Sequence, residues 1–166
     1  MKEIFDRASI RLFQDSPVEE EKITQLLKAA MQAPSAGNQQ PWEFLVITQK
    51  ETKEALTKLC QYSDPLLGAP LGIIALFNKK NLRFPQCVQQ DMGAACENIL
   101  LEAVYLGIGG VWLAIAGFED RVTSVKNYLK LPKNIEPYAT IALGYPQENK
   151  KNPLRYDAEK VHYERF

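Results

Sequence analysis

One stretch constrains the fold more than any other. From about Pro85 to Tyr105, residues Val88, Met92, Cys96, Ile99, Leu100, Ala103 and Val104 recur at helical spacing, with Gly107 following as a C-terminal stop. At 1.5 Å per residue such a helix is about 30 Å long, the width of a small domain. Every other element must pack on it or on what it covers. The 166 residues suffice for one core burying roughly 70% of the unfolded surface, so residues 1–166 read as a single domain. Within the helix, Gly93-Ala94-Ala95 leaves room for another backbone, either from the same chain or from a second subunit.

The remaining elements are shorter. Ser16-Pro17-Val18-Glu19 reads as a helix start with Ser16 as N-cap and Glu19 closing a capping box. The stripe Ile23, Leu26, Leu27, Ala30, Met31 follows, and Pro34 stops the helix. Phe44–Ile47 reads as a buried strand, Thr52–Tyr62 as a helix, Leu71–Phe77 as a strand and Gly110–Ile115 as another. A helix over Glu119–Leu129 and a strand over Tyr138–Leu143 complete the chain. Strands interleaved with unequal helices imply a sheet covered on both faces, with the strand order open. After Tyr145 the composition changes: PQENKKNPLRYDAEKVHYERF has too few apolar residues to bury itself, so residues 146–166 are loose or lie on something else.

Composition narrows the function. Twenty Lys and Arg balance twenty Asp and Glu, so no overall field draws the molecule to nucleic acid or to an anionic membrane. No apolar run approaches a membrane span, MKEIFDRASIRLF lacks the apolar core of a secretory signal, and the chain reads as cytoplasmic. Cys60, Cys87 and Cys96 form no CxxC pair and read as packed thiols rather than metal ligands or a disulfide framework. The single histidine, His162, sits four residues from the end, a poor place for a Ser-His-Asp relay or a metal site. If the chain is an enzyme, a bound cofactor supplies the chemistry.

Two segments carry recognition chemistry. In Arg7-Ala8-Ser9-Ile10-Arg11, an extended backbone points both arginines and the serine one way and Ala8, Ile10 and Leu12 the other; a helix also aligns the arginines. Such a fork suits a phosphate, although a solvated face neutralised by Glu3 and Asp6 has the same sequence. The loop Ala33-Pro34-Ser35-Ala36-Gly37-Asn38-Gln39-Gln40-Pro41-Trp42 offers four neutral hydrogen-bonding side chains, suited to an uncharged heterocycle or polyol, or else it is an ordered turn that seats Trp42 in the core. It follows a helix C-terminus, whose dipole disfavours a phosphate there. Gly107-Ile108-Gly109-Gly110 follows a helix and precedes a strand, the reverse of a dinucleotide fingerprint, and there is no phosphate-binding GxxxxGK[ST]. These glycines read as a helix stop that lets the next strand pass close to a flat ligand.

RASIR near the N-terminus, then a helix, PSAGNQQPW, a long helix ending in GIGGVW, a Gly-Tyr-Pro turn and an arginine-containing tail ending HYERF together resemble the FMN-dependent nitroreductase family over nearly the whole chain. The resemblance implies an α+β three-layer sandwich, a mostly antiparallel sheet flanked by helices, in an intertwined homodimer. It implies FMN at two subunit interfaces, with NADH or NADPH as electron donor and no metal. Arg7, Ala8, Ser9 and Arg11 would hold the phosphate, with Arg155 from the tail. Pro34, Ser35, Ala36, Asn38 and Gln39 of the other subunit would meet the ribityl chain and ring. The strand holding Leu113, Ala114 and Ile115 would lie along the isoalloxazine. No side chain would act as catalytic acid or base, since the flavin does the redox chemistry, passing electrons to nitroaromatics, quinones or related acceptors in alternating half-reactions. Tyr62, Phe84 and Phe118 are the candidates for the substrate side. Alternatives on the same scaffold are a flavin-sequestering or sensing module, dehalogenation and azoline oxidation. The chain departs from larger members in having little room between Tyr62 and Phe84 for inserted helices, and in having Ala8 where a second arginine is common.

Overall fold

The computed structural model describes residues 2–80 and 82–166. Four strands, β1 (Trp42–Ile47), β2 (Leu71–Asn78), β3 (Gly109–Ala114) and β4 (Ile135–Gly144), form one sheet in the order β1-β2-β4-β3. Every pairing is antiparallel. The helices are α1 (Glu3–Asp6), α2 (Glu20–Met31), α3 (Lys50–Leu59), α4 (Pro65–Gly68), α5 (Val88–Tyr105) and α6 (Glu119–Leu129). On one face of the sheet, Ile74, Leu76, Val111, Leu113 and Ile135 pack with Leu56, Cys60, Leu66 and Val125 of the α3, α4 and α6 side. On the other, Ile73, Ala75, Ala139, Ile141 and Leu143 pack with Leu26 and Ala30 of α2 and with Met92, Cys96 and Ile99 of α5. The result is the three-layer α+β sandwich that the resemblance implies. The inner strands are buried on both sides, which is why Leu71–Leu76 reads as an unbroken apolar run.

β4 tolerates a proline because the ladder slips there. Ala75 faces Ala139 while Leu76 faces Pro137, and Tyr138 is the extra residue of a bulge. The Tyr138 carbonyl, which faces β3, accepts from both Ile115 N–H (3.2 Å) and Ala116 N–H (2.8 Å), which closes the end of β3.

Several expectations need correction. Ser16 caps nothing: α2 starts at Glu20, with extended Glu19 as an N-cap that makes no side-chain cap bond. The Glu19 carboxylate instead accepts from the Tyr145 hydroxyl at 2.6 Å and lies 3.6 Å from Lys22. The apolar stripe of α2 ends in an exposed Met31. α3 stops at Leu59, and Tyr62 lies beyond it with a left-handed φ of 68°. The long helix opens with a 3-10 turn over Pro85–Cys87 before α5 begins. Its small segment is covered from within the chain at Ala95, which is fully buried, and α5 packs along α2, with Asn98 donating to the Ala29 carbonyl at 3.0 Å. Among the described residues no helix is long and apolar enough to cross a membrane.

The glycine-rich stop works differently from the expectation. Gly107 ends α5 with φ +73°. Gly109 and Gly110 admit the chain itself rather than a ligand: an added Cβ would sit 2.8 Å from Ile10 at the first and 2.9 Å from Leu143 at the second. That close approach seats the N-terminal segment on β3.

Candidate functional site

Residues 8–10 run parallel to the start of β3, bridged at Ser9 and Gly110, with Ile10 N–H donating to the Gly110 carbonyl at 3.0 Å. Ala8 and Ile10 are buried, so Arg7, Ser9 and Arg11 face outward. The alternation then breaks, because Phe13 and not Leu12 enters the core, and Leu12 is 59% exposed. The cause is a pairing of Phe13 with Pro146 and a clamp by Glu148, whose Oε1 accepts from Arg11 N–H (2.6 Å) and Leu12 N–H (3.2 Å). Those bonds, the Arg11 one foremost, hold the Glu148 carboxyl below its ordinary pKa.

The arginines differ. Arg7 is largely covered, with Nε 3.5 Å from Glu97 of α5. It shares a cavity of about 310 Å³ with Arg155, Asn152, Phe5 and Tyr156, and Asn152 fixes the local backbone by donating to the Arg7 carbonyl at 2.7 Å. Arg11 is exposed, its guanidinium bonded among the described residues only to the Ser9 carbonyl at 3.3 Å. Lys150 reaches that same carbonyl, also at 3.3 Å, which adds a cation the sequence reading missed.

Arg11 opens onto a larger cavity, about 540 Å³, walled by Gln61, Tyr62, Val111–Ala114, Phe118 and Arg121. β3 is an edge strand here. Because Ile115 N–H bonds to Tyr138 in ladder register, the backbone groups of Trp112 and Ala114 point away from β4, toward the open edge. The side chains of Leu113 and Ile115 are buried in the core behind, so the strand offers the cavity backbone rather than those side chains. The Arg121 guanidinium donates to the Ala114 carbonyl at 3.0 Å and stacks 3.9 Å from the centroid of Phe118. Tyr62 and Phe118 thus stand in one wall, as two of the three substrate-side candidates.

The loop at residues 33–42 lies elsewhere, and none of Pro34–Gln39 belongs to that wall. It is held by Asp91, a 4%-exposed carboxylate of α5 that sequence reasoning missed. Asp91 accepts from Ala36 N–H (2.9 Å) and from Gln39 Nε2 (2.6 Å). The Gln39 amide also brackets Phe84, donating to its carbonyl at 3.1 Å and accepting its N–H at 2.9 Å. Ser35 Oγ accepts from Gln40 N–H at 3.0 Å. Gly37, Asn38 and Gln40 all have φ between 45° and 57°, a concentration of left-handed backbone typical of functional loops. Of the four neutral side chains expected to meet a ligand, Gln39 is an internal brace and Ser35 is partly so. Asn38 is exposed and its side chain has no hydrogen-bond partner among the described residues. Phe84 packs on Gly37, away from Tyr62 and Phe118. A lone acid beside Val88 and Met92 on the apolar stripe of α5 was the available signal for Asp91; Arg121 gave none.

Two of the three thiols are packed as expected: Cys60 and Cys96 are buried, and burial pushes Cys60 upward in pKa and Cys96 up to about 12, whereas Cys87 is only half-buried.

The "Nitroreductase family" profile matches residues 4–63 and 61–145, nearly the whole folded sandwich. This chain belongs to the nitroreductase family. Its sequence is 36% identical over 170 residues to an Archaeoglobus fulgidus protein provisionally named NADH dehydrogenase/NAD(P)H nitroreductase, covering 100% of this chain and 98% of that one. A crystal structure from Clostridium acetobutylicum, provisionally assigned as an NADH oxidase, superposes with TM-score 0.96 at 45% identity, over 99% of both chains. A Desulfovibrio desulfuricans crystal structure, provisionally assigned as a nitroreductase and solved in complex with FMN, gives TM-score 0.87 at 30% identity, over 99% of this chain and 96% of that one. Among nitroreductases, then, this is a short sandwich whose arginine segment and loop stand on separate surfaces of one chain.

Proposed function

We propose that the protein is a cytoplasmic, homodimeric FMN enzyme that takes electrons from NADH or NADPH and passes them to nitroaromatics, quinones or related acceptors in alternating half-reactions. One observation carries the reading: the cavity along the open edge of β3, bounded by Arg11 and Arg121, adjoins the outward face of RASIR. Its volume of about 540 Å³ falls in the roughly 300–1,000 Å³ range of small-molecule sites. Its donor set, two guanidiniums and free strand backbone, fits an electron-rich heterocycle with carbonyls. Arg7, Ser9 and Arg155 would bind the phosphate as charge-assisted donors, with Lys150 close by.

The loop at residues 33–42 would complete the site from the second copy, since within one chain it faces away. Asp91 and Gln39 hold that loop in shape, leaving Asn38 and Ala36 to meet the ligand. Leu154, Tyr156, Tyr163 and Phe166 are exposed in the single chain, and the tail carrying them would pack on the partner. FMN, when bound, supplies the hydride chemistry; the side chains orient it, shield it from water and leave one face open for donor and acceptor in turn. Three unpaired cysteines suit a reducing compartment.

The test is the visible spectrum of the purified protein. A yellow protein that bleaches with anaerobic NADH or NADPH and recolours with a nitro or quinone acceptor supports the reading. Unchanged absorbance with both nucleotides refutes the reductase.

A further inference from the structure

Arg121 is a mostly buried cation with no ion-pair partner among the described residues. Its residue is 8% exposed, it stands in α6 behind Phe118, and its one hydrogen bond goes to the Ala114 carbonyl. Among the described residues no carboxylate lies within ion-pair distance of it. A guanidinium has five N–H donors, and no buried side-chain nitrogen here lacks a partner, so the donors not aimed at Ala114 stay accessible. The cavity that Arg121 lines contains a second unpaired guanidinium, Arg11, and no acid in its wall. Leaving a charge in such a place is unfavourable unless something in the cavity answers it.

We infer that Arg121 is a potential-setting residue, a fixed positive charge that favours the reduced over the oxidised cofactor. This rests on the FMN reading above. Hydride transfer moves one proton and two electrons from NAD(P)H to the ring, leaving NAD(P)⁺. The ring, neutral when oxidised, gains one negative charge unless a second proton follows. A cation pinned by a ring stack and a carbonyl bond does not reorganise as that charge appears, so its effect goes to the reduced state. Arg121 is tied to β3 and α6 alone, and so it acts on the cofactor's preference between oxidation states rather than on the grip of its phosphate.

The experiment compares wild type, R121Q, R121M and R121K, each loaded with FMN. Midpoint potentials are measured by anaerobic spectroelectrochemistry and affinities for oxidised FMN by fluorescence titration. Removing the charge is expected to weaken binding of reduced relative to oxidised FMN about tenfold, a fall of about 30 mV for a two-electron couple. Affinity for oxidised FMN should change by less than threefold, and R121K should retain most of the wild-type potential. A purely structural role would lower affinity for both forms together and leave the potential in place, which overturns the inference. Equal losses of potential in R121K and R121Q overturn it too. Should neither neutral variant fold, a wild-type potential at or below that of free FMN overturns it and one above supports it. A wild-type chain that binds no FMN refutes the proposed function and this assignment with it, whereas a yellow, reducible wild type with unshifted variants refutes the assignment alone.

Discussion

Replacing Gly37 with alanine should destabilise the protein by about 3 kcal/mol, in two separable parts. Gly37 has φ +57°, where an L side chain costs roughly 1–2 kcal/mol. The new Cβ would also lie 2.5 Å from Phe84 Cε2 and 3.1 Å from Cδ2, an overlap of the kind that costs about 1–3 kcal/mol. Phe84 cannot retreat as a unit, because the Gln39 amide holds both its N–H and its carbonyl; only its ring can turn. Gly107 provides the control, with φ +73° and no heavy atom within 4 Å of an added Cβ. Gly107→Ala should therefore show the backbone part alone, about 1–2 kcal/mol. The assay is urea denaturation of FMN-free protein at one fixed concentration, since both cofactor and association would add stability. A Gly37→Ala, Phe84→Ala cycle should return a favourable coupling above 1 kcal/mol, well outside the roughly 0.3–0.5 kcal/mol scatter of independent sites. Equal losses in Gly37→Ala and Gly107→Ala, or additive behaviour with Phe84→Ala, would refute the idea that this loop is shaped by its contact with Phe84.

Arg11→Ala should weaken FMN binding by about 1.5–3 kcal/mol, roughly ten- to a hundredfold in Kd, while leaving stability nearly unchanged because its guanidinium makes one long bond to Ser9; an unaltered titration would show the fork misassigned. Asp91→Ala strands the Ala36 N–H and one Gln39 Nε2 proton and should lower stability by about 2–4 kcal/mol; urea midpoints matching wild type would show that the loop is held by something else. Glu136 accepts from Lys126 and Lys79 on a single oxygen, each at 2.6 Å; burial pushes its pKa up, but the two lysines outweigh it and the net shift is downward. Glu136→Gln should therefore lower stability by about 1–2 kcal/mol at neutral pH. The difference should be full above the ordinary carboxylate value and vanish as pH falls through the depressed one, and a gap that persists in acid would argue against charge as its source.

Local signals located most of the fold. α6 has the bounds that apolar periodicity and flanking breakers suggest, and the inner strand β2 runs one residue past them to Asn78, because those elements bury what their own sequence marks as apolar. Errors fell where tertiary bonds outcompeted local rules. Ser16, Pro17 and Glu19 spell a helix start, yet Tyr145 offers Glu19 a better partner than its own helix, and the first turn forms later. Leu12 and Phe13 exchange places because residues 146–148 pair with that segment, which no local pattern encodes. In the candidate site, motif chemistry singled out the arginines and the neutral loop, but not the division of labour among the loop's side chains. That division depends on Asp91 of α5 and on Phe84 just before its opening 3-10 turn, 52 and 45 residues from Gln39.

The balanced charge of the chain is misleading for the same reason. Acids near the site are engaged by protein groups: Asp91 by the loop, Glu97 by Arg7, Glu148 by two backbone N–H groups. Arg11, Arg121 and Arg155 have no such partner within ion-pair distance among the described residues. A neutral total thus coexists with guanidiniums that lack an ion-pair partner in the tail, in RASIR and beside the edge of β3. Of these acids only Glu97 is met by a cation; Asp91 and Glu148 keep their charge but are turned onto backbone and amide donors instead of the guanidiniums. Guanidiniums free to meet an anion therefore need no excess of basic residues, only a fold that gives the neighbouring carboxylates other partners.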